Sequence, residues 1–399
     1  MKKRIFALCT AALLLFGCGA SGSSDTDITA PEPTADSSQF AVYPSNTYIA
    51  TGNNYCITAA DAVSYRAYLP VETPGALEYC FYFSNTVDST WGKGEVAFVN
   101  KPGAAYTVSA ASVGISAEIQ GAVLNEQPVT FSGQAQKSVS PSETYWSDPL
   151  TVDVPAGNYL VWTWTVQGDA IPATVMSDLT PTYAAKAGGQ FIYTNEIPLP
   201  QLIGAKRDVK KRIVHIGDSI TQGTGTPQYE NAFWVSDIAK SLDAEYSVWN
   251  LGLGYSRASD CVLDGDWLQR ARHADLVTVA FGTNDMQGGQ YGVGAPNAAP
   301  AINTWLSQIV TKLRDAGCEV VLFNAPPFDL PALNEGIRAE LNQLLPDTAA
   351  QTGATLFDWA SLLEQPDAPG RSLYGGHPNA EGCKVVADAF LKQFADKLN

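Results

Sequence analysis

The stretch Ile213-Val-His-Ile-Gly-Asp-Ser-Ile220 decides how the second half of this 399-residue chain folds. Its first four residues include three β-branched apolar side chains, which is typical of a buried parallel strand. The glycine, aspartate and serine that follow interrupt the strand pattern and predict a turn. Open α/β sheets bind their ligands at the carboxyl ends of the strands. Ser219 is therefore a candidate nucleophile by its position.

Strand and helix patterns alternate downstream of this stretch. The predicted strands are 213–217, 246–251, 275–281, 319–324 and 355–358. The predicted helices are 231–242, 264–272, 297–316, 333–352 and 380–398. Alternating units predict a parallel sheet covered by helices on both faces. Gly252 and Asn284 follow the second and third strands as Ser219 follows the first, so we expect all three at one edge of the sheet.

A serine hydroxyl is a weak nucleophile until a base accepts its proton. The chain has three histidines. His215 lies inside the first predicted strand, and His273 ends a predicted helix, where a structural or surface role is expected. His377 stands in a loop before the last helix, so elimination leaves it as the base.

Four blocks of this sequence resemble the SGNH (GDSL) hydrolase family. They are Gly217-Asp-Ser-Ile220, Asn250-Leu-Gly-Leu-Gly254, Gly282-Thr-Asn-Asp285 and His377-Pro-Asn379. The resemblance implies a flavodoxin-like three-layer α/β domain that hydrolyses carboxylic esters without a metal or another cofactor. It implies Ser219 as nucleophile and His377 as base. It also implies that the oxyanion donors are the backbone N–H groups of Ser219 and Gly252 and the side chain of Asn284.

The sequence departs from the family at one position. The family commonly has an aspartate three residues before the histidine, where this chain has Tyr374. A backbone carbonyl then orients His377 in a Ser–His dyad, or a carboxylate such as Asp367 or Asp358 replaces the aspartate, or activity is reduced or lost. We favour the dyad. Of the two carboxylates, Asp367 is the better substitute because it lies in a Pro/Gly loop near His377.

The first half of the chain has the sequence pattern of a β domain. Apolar and polar residues alternate at 150–154 and 160–166, and further strands are expected at 79–83 and 95–99, which predicts a jelly-roll-like sandwich over 40–203. The blocks Phe83-Ser-Asn85 and Trp146-Ser-Asp-Pro149 resemble the β domain that precedes some bacterial SGNH esterases. We expect its aromatic residues to form core rather than a sugar-binding face. The hydrolase domain then covers 204–399.

The N-terminus carries a targeting pattern. A basic start and an apolar run too short to span a bilayer predict a secretory signal peptide over 1–17. Leu15-Phe-Gly-Cys18 resembles a bacterial lipobox with Cys18 as the lipidated residue, and ordinary signal cleavage nearby is the alternative. Residues 18–39 are rich in small and polar types and predict a flexible linker. We therefore expect an extracellular lipoprotein at the surface of a bacterial cell.

The net charge and the cysteines limit which partners, disulfides and metal sites are expected. The net charge of −16 argues against binding to nucleic acid or to an anionic membrane surface, so we expect membrane contact only through the lipid anchor. A disulfide between Cys56 and Cys80 is plausible outside the cytoplasm. No CxxC spacing occurs, which argues against a structural zinc site.

Three functions remain open at this level. The first is an extracellular serine esterase that removes acyl groups, acetyl above all, from carbohydrate or another small ester substrate. The second is a lipid or lysophospholipid acylhydrolase, which should have an apolar lid, whereas the candidate loop at 288–296 is not apolar. The third is a non-catalytic carbohydrate-binding lipoprotein, supported only by Tyr374.

Overall fold

The computed structural model describes residues 35–89, 99–176, 178–288 and 295–398. The predicted signal peptide, Cys18 and most of the predicted linker, of the strand at 95–99 and of the loop at 288–296 lie outside these ranges. The last linker residues are described, and Ala35 donates its N–H to Thr144 Oγ1 at 2.9 Å. No helix of the described ranges is long and apolar enough to cross a membrane.

The first part of the described chain consists of strands. They follow the short helix α1 (Gln39–Val42) and are β1 (Tyr55–Leu69), β2 (Gly75–Ser84), β3 (Thr86–Val87), β4 (Lys101–Pro102), β5 (Tyr106–Ser116), β6 (Leu124–Pro128), β7 (Lys137–Val139), β8 (Thr144–Trp146), β9 (Leu150–Val154), β10 (Tyr159–Val175), β11 (Thr182–Lys186), β12 (Ile192–Tyr193), β13 (Glu196–Ile197) and β14 (Leu202–Lys206). We call this part the sandwich domain.

Two antiparallel sheets face each other in the sandwich domain. One has the order β12-β11-β1-β10-β5-β6, with β13 beside β10 and β7 beside β5, and the other is β14-β2-β8 with β9 beside β2. Side chains alternate in and out along each strand, so every second residue points into the core. Phe81 of β2 packs on Trp162 of β10 with ring centroids 4.6 Å apart. Trp162 and Trp164 are buried, as expected for core residues. The finer jelly-roll topology stays a prediction.

The second part alternates strands and helices, as the sequence predicts, and we call it the α/β domain. Its strands are β15 (Lys211–Gly217), β16 (Tyr246–Gly252), β17 (Leu276–Ala280), β18 (Glu319–Phe323), β19 (Thr355–Phe357), β20 (Glu364–Gln365) and β21 (Ala368–Ser372). Its helices are α2 (Ser219–Gln222), α3 (Trp234–Ser241), α4 (Ala258–Cys261), α5 (Asp266–Ala271), α6 (Thr283–Gln287), α7 (Ala299–Asp315), α8 (Ala332–Thr352), α9 (Ala360–Leu363), α10 (Ala380–Gln393) and α11 (Ala395–Leu398).

A parallel sheet forms the middle layer of this domain. Its order is β16-β15-β17-β18-β19, which is the 2-1-3-4-5 order of flavodoxin-like folds. Successive residues of β15 serve opposite faces of the sheet. Val214 and Ile216 pack in the cluster that includes α5 and α7, whereas Ile213 belongs to the cluster that includes α3 and α10. The predicted three-layer α/β fold behind a β-rich region is therefore confirmed.

The last strand of the sandwich domain runs past the predicted boundary at 203/204. Gly204 pairs with Cys80 and Lys206 with Glu78, so β14 completes the smaller sheet before the chain enters the α/β domain. The residues before β1 lie along the edge strand β16. Thr51 donates its N–H to the carbonyl of Asn250, and Ala50 forms an isolated parallel bridge with the same residue. The sandwich domain thus covers an edge of the parallel sheet that would otherwise expose unpaired groups.

The predicted disulfide between Cys56 and Cys80 is wrong, because both residues are free thiols. Cys56 lies on β1 in one sheet, and Cys80 lies on β2 in the other. The neighbours Ile57, Tyr79 and Phe81 point into the core between the sheets. Because side chains alternate along a strand, the two cysteines point away from that core and from each other.

Candidate active site

Ser219 is held at the carboxyl end of the central strand β15 by a tight turn. Asp218 caps α2, and its carboxylate accepts the N–H of Ile220 at 2.9 Å. Burial raises the pKa of Asp218 to about 7. The side chain therefore shapes the turn behind the serine, and Ser219 itself remains partly exposed as the first residue of the helix.

His377 lies against Ser219. Its Nε2 is 2.9 Å from the serine Oγ, a hydrogen-bond distance. The edge of the Phe328 ring contacts the imidazole, with ring centroids 4.8 Å apart at 75°. Gly225 passes so close that a Cβ there would stand 2.6 Å from His377 Cβ, and its φ of +101° suits glycine. Packing from two loops therefore places the imidazole beside the hydroxyl.

No carboxylate of the described ranges pairs with His377, so the two proposed substitute acids are not in place. Asp358 lies two residues before α9 instead, and its Oδ1 accepts from Asn324 Nδ2 at 2.6 Å and from the N–H of Ser361 at 3.2 Å. Asp367 is exposed on the turn between β20 and β21. The predictions for Asp358 and Asp367 are therefore corrected. Desolvation lowers the pKa of His377 below its ordinary value of 6.5, and no ion pair opposes it.

The other two histidines lie away from the cleft, His215 in the core and His273 at the surface. His215 is fully buried, its Nδ1 is 2.8 Å from Thr278 Oγ1, and burial lowers its pKa to about 3. His273 stacks on Phe40 with ring centroids 4.5 Å apart. Neither residue lines the cleft that holds Ser219, which agrees with the elimination that leads to His377.

Asn284 lies on the same cleft as the serine and histidine. It follows β17 in the short helix α6, and its Nδ2 donates to the carbonyl of Ser256 at 3.0 Å. An amide nitrogen carries two hydrogens, so this bond orients the group and leaves a second donor for a ligand. The geometry fits the predicted role of Asn284 as an oxyanion donor.

The predicted role of Gly252 requires a correction. Its N–H donates to the side-chain oxygen of Asn250 at 2.9 Å, and the residue is not among those that line the cleft. Gly252 instead allows β16 to approach α2, since a Cβ there would lie 2.3 Å from the backbone nitrogen of Gln222. Gly254 lines the cleft two residues later, so Gly254 and not Gly252 is the glycine of this block that borders the cavity.

The cleft has a volume of about 340 Å³ and walls from both domains. The α/β domain contributes Ser219, Thr224, Gly254, Tyr255, Asn284, Gln287, Phe328 and His377, and the sandwich domain contributes Asn54, Val175, Asp178 and Asn195. Sequence reasoning missed all four residues of the sandwich domain, since none of them stands in a motif that signals chemistry.

Metal ligation finds no support at this site. Within the described ranges no cluster of histidine, cysteine, aspartate or glutamate side chains is arranged to hold a metal ion. Asp178 is the one acidic residue of the described cleft lining, which includes no lysine or arginine. The arrangement can activate a serine hydroxyl and stabilise an oxyanion through N–H donors.

Comparison with protein families identifies this part of the chain. Residues 215–385 match the model of the GDSL-like Lipase/Acylhydrolase family. This range contains Ser219, Asn284 and His377. It therefore forms a GDSL-like acylhydrolase domain, which confirms the SGNH resemblance for this part of the chain and supports ester hydrolysis as its reaction.

Solved structures of related proteins overlap about half of the chain. A lipolytic protein of the G-D-S-L family from Veillonella parvula shares 21% identity over 46% of this chain and 98% of that chain, with a TM-score of 0.39. The aryl esterase of M. smegmatis shares 19% identity over 47% and 99%, with a TM-score of 0.37. A catalytic mutant of an acetylxylan esterase from Geobacillus stearothermophilus shares 19% identity over 47% and 94%, with a TM-score of 0.37. Comparison with curated proteins gives no match.

Proposed function

We propose that this protein is a serine esterase that removes acetyl groups from carbohydrate through a Ser–His dyad. Ser219 Oγ attacks the ester carbonyl while His377 Nε2 accepts its proton. The imidazolium then returns the proton to the departing sugar hydroxyl, which leaves an acetyl-enzyme. His377 then deprotonates a water molecule that attacks the acetyl-enzyme. The imidazolium returns this proton to Ser219 Oγ as the bond between acyl group and serine breaks, which releases acetic acid and restores the serine hydroxyl and the neutral imidazole.

One observation carries the proposal, namely the 2.9 Å distance between Ser219 Oγ and His377 Nε2 at the floor of the cleft. The pair lies at the carboxyl end of a parallel strand, where such sheets bind ligands. Asn284 and Gly254 line the same cleft, and a side-chain amide and a backbone N–H are the types of donor that stabilise the oxyanion of a tetrahedral intermediate.

Packing rather than a carboxylate positions the base. Phe328 and Gly225 enclose the imidazole, and neither Asp358 nor Asp367 reaches it. A dyad loses the electrostatic stabilisation that an aspartate gives to the imidazolium. Burial lowers the pKa of His377. The imidazole therefore remains neutral, and can accept a proton, at a lower pH than an exposed histidine.

The size and polarity of the cleft favour a small acyl group. About 340 Å³ must hold both the acyl group and the adjoining part of the alcohol. Ligand pockets of about 300 Å³ are at the small end of the range found in proteins. The carboxylate of Asp178 and the amide nitrogen of Asn195 belong to its lining, and a long alkyl chain would offer these groups no hydrogen-bond partner.

The test is ester hydrolysis by the purified protein and by Ser219→Ala, with Ser241→Ala as the matched control. Ser241 is exposed on α3 and bonds only within its own helix, to the carbonyl of Asp237. We expect acetate release from acetylated xylan or a related glycan, and a preference for 4-nitrophenyl acetate over long-chain esters. Removal of the nucleophile should lower kcat by about 10³-fold or more. A preference for long chains would support a lipid substrate, and full activity in Ser219→Ala would refute the mechanism.

We also propose that the enzyme acts outside the cell and is attached to the membrane by a lipid anchor on Cys18. The proposal rests on the lipobox-like Leu15-Phe-Gly-Cys18 after a short apolar run. Labelling of the expressed protein with radioactive palmitate should mark the native chain and not Cys18→Ser. Equal labelling of both chains, or of neither, would refute the anchor.

A further inference from the structure

The sandwich domain reaches into the cleft with two polar side chains that the proposed chemistry does not use. They are Asp178 and Asn195, which face the same cavity as Ser219 and His377. Asp178 is exposed to the cleft solvent, and Asn195 is half-buried. Neither the Asp178 carboxylate nor the Asn195 amide nitrogen has a hydrogen-bond partner within the described part of the chain.

The backbone holds these two side chains in a defined arrangement. Asn195 Oδ1 accepts the N–H of Asp178 at 3.0 Å, and the carbonyl of Asn195 accepts the N–H of Met176 at 2.8 Å. Asp178 adopts a φ of +58°, in the left-handed region that few non-glycine residues occupy. Backbone strain of this kind persists where the surrounding structure over-determines the conformation, and it is common at ligand sites.

Asn54 connects the part of the sandwich domain that carries Asp178 to the α/β domain by hydrogen bonds. It is buried, its Oδ1 accepts the N–H of Val175 at 3.0 Å, and its Nδ2 donates to the carbonyl of Gly254 at 3.2 Å. Val175 ends the strand that leads to Asp178, and Gly254 lines the cleft near the serine. The Asn54 side chain therefore links the segment that carries Asp178 to the loop of the α/β domain that lines the cleft.

The chemistry of the wall selects a class of substrate. A carboxylate accepts hydrogen bonds from hydroxyl groups, and an amide nitrogen donates to hydroxyl or ether oxygens. The described lining contains no lysine or arginine that could pair with a phosphate or a carboxylate of the substrate. The negative charge of Asp178 repels such anions.

We infer that Asp178 and Asn195 of the sandwich domain bind the alcohol part of the ester, and that this part is a neutral sugar. The inference rests on the proposed esterase function and adds that the sugar is neutral and which residues bind it. It makes Asp178 and Asn195 residues that determine specificity, supplied by the domain outside the family match.

The experiment compares kcat/KM on two acetate esters with different alcohols. One is an acetylated neutral xylo-oligosaccharide, and the other is 4-nitrophenyl acetate, whose alcohol carries no further hydroxyl. Loss of a hydrogen bond to a charged group lowers affinity by about 10- to 100-fold. We expect Asp178→Ala to lower kcat/KM on the sugar ester by that factor, and by at least tenfold more than on 4-nitrophenyl acetate. Asn195→Ala should show the same ordering with a smaller loss.

Asp153→Ala is the matched control. Asp153 is an exposed carboxylate on β9 of the same domain and does not line the cleft, so both kcat/KM values should stay unchanged. Asp178→Asn keeps the size of the side chain and removes its charge. It should raise kcat/KM on an acetylated glucuronic-acid oligosaccharide relative to the neutral one.

Two outcomes would overturn the inference. Equal losses on both esters in Asp178→Ala would mean that Asp178 serves only the fold, and no loss on either would mean that it does not touch the sugar. Failure of the proposed function looks different, because the unmodified protein would then release no acetate from any glycan. That result would remove both proposals, and the unmodified protein alone identifies it.

Discussion

The two walls of the cleft are built from different kinds of structure and hold different kinds of residue. The wall of the α/β domain carries Ser219 and Asn284 in short helices that follow strands of the parallel sheet, and His377 in the loop before α10. The wall of the sandwich domain carries Asp178 and Asn195 on connections between antiparallel strands. The first wall has the groups that react, and the second has groups suited to recognition.

The contrast shows how a common catalytic domain obtains its own specificity. Topology places strand ends of a parallel sheet together, so reacting groups are positioned by the fold itself. The residues of the second wall owe their position to packing between the domains. Asp88 of the sandwich domain forms a buried ion pair of 2.6 Å with Arg270 of α5, and Tyr82 donates to Asp266 of the same helix at 2.9 Å. The domains are therefore coupled by buried polar contacts.

The largest effect should come from breaking that coupling. Arg270→Ala leaves Asp88 as an uncompensated buried charge, and the loss of one partner of a buried pair costs about 3–5 kcal/mol. We expect that decrease in the free energy of unfolding in urea. Lys384→Ala is the control, since its pair with Asp388 is exposed and its loss should not be measurable. A small effect of Arg270→Ala would mean that the two walls are held together by other contacts.

The second prediction concerns the reacting wall alone. Asn284→Ala removes the predicted side-chain donor of the oxyanion, and such a loss costs about 2.7–4 kcal/mol, or 10²–10³-fold in kcat. KM for 4-nitrophenyl acetate should change little, because the interaction forms in the transition state. Asn303→Ala, an asparagine on α7 that accepts from Thr348 Oγ1 and lies outside the cleft, should leave kcat unchanged. An equal change in KM and none in kcat would assign Asn284 to substrate binding.

The third prediction is a pH dependence of the reacting wall. His377 must be neutral to accept the serine proton, so kcat/KM should fall about tenfold per pH unit below its pKa. Burial lowers that pKa, and the inflection should therefore lie below 6.5 in a pH profile with 4-nitrophenyl acetate. An inflection above 6.5 would require a negatively charged partner of the imidazole, which is the outcome expected of a triad.

The smallest effect should follow restoration of the family aspartate. The Tyr374 side chain is half-buried and packs toward α10, where a Cβ on Gly382 would lie 2.7 Å from Tyr374 Cβ. Because Phe328 already positions the imidazole, we expect Tyr374→Asp to raise kcat by no more than about threefold. A large rise would show that orientation of His377 limits the native enzyme. Tyr374→Asn loses the same packing without gaining a charge, and so separates the two effects.

Prediction from sequence succeeded where local pattern and topology coincide. The β/α alternation located all five strands of the parallel sheet, and β9 was placed at its observed bounds, Leu150–Val154. Prediction failed where contacts between residues distant in sequence determine the position or the pairing of a side chain. The Cys56–Cys80 pair was inferred from count and compartment, but the strand positions that separate the two thiols cannot be read from spacing. The block contains both Gly252 and Gly254, and spacing does not reveal that the side chain of Asn250 accepts the N–H of Gly252.

The sequence by itself determined the parallel sheet, the serine at the end of strand β15, and the histidine that could accept the proton of that serine. Those features follow from strand period, turn residues and the small number of histidines, which are all local or countable. Only the tertiary structure decided that Asp358 and Asp367 do not pair with His377 and that Asp178 and Asn195 line the same cleft as Ser219. The first result depends on packing within the α/β domain and the second on packing between the two domains, and no local pattern encodes either.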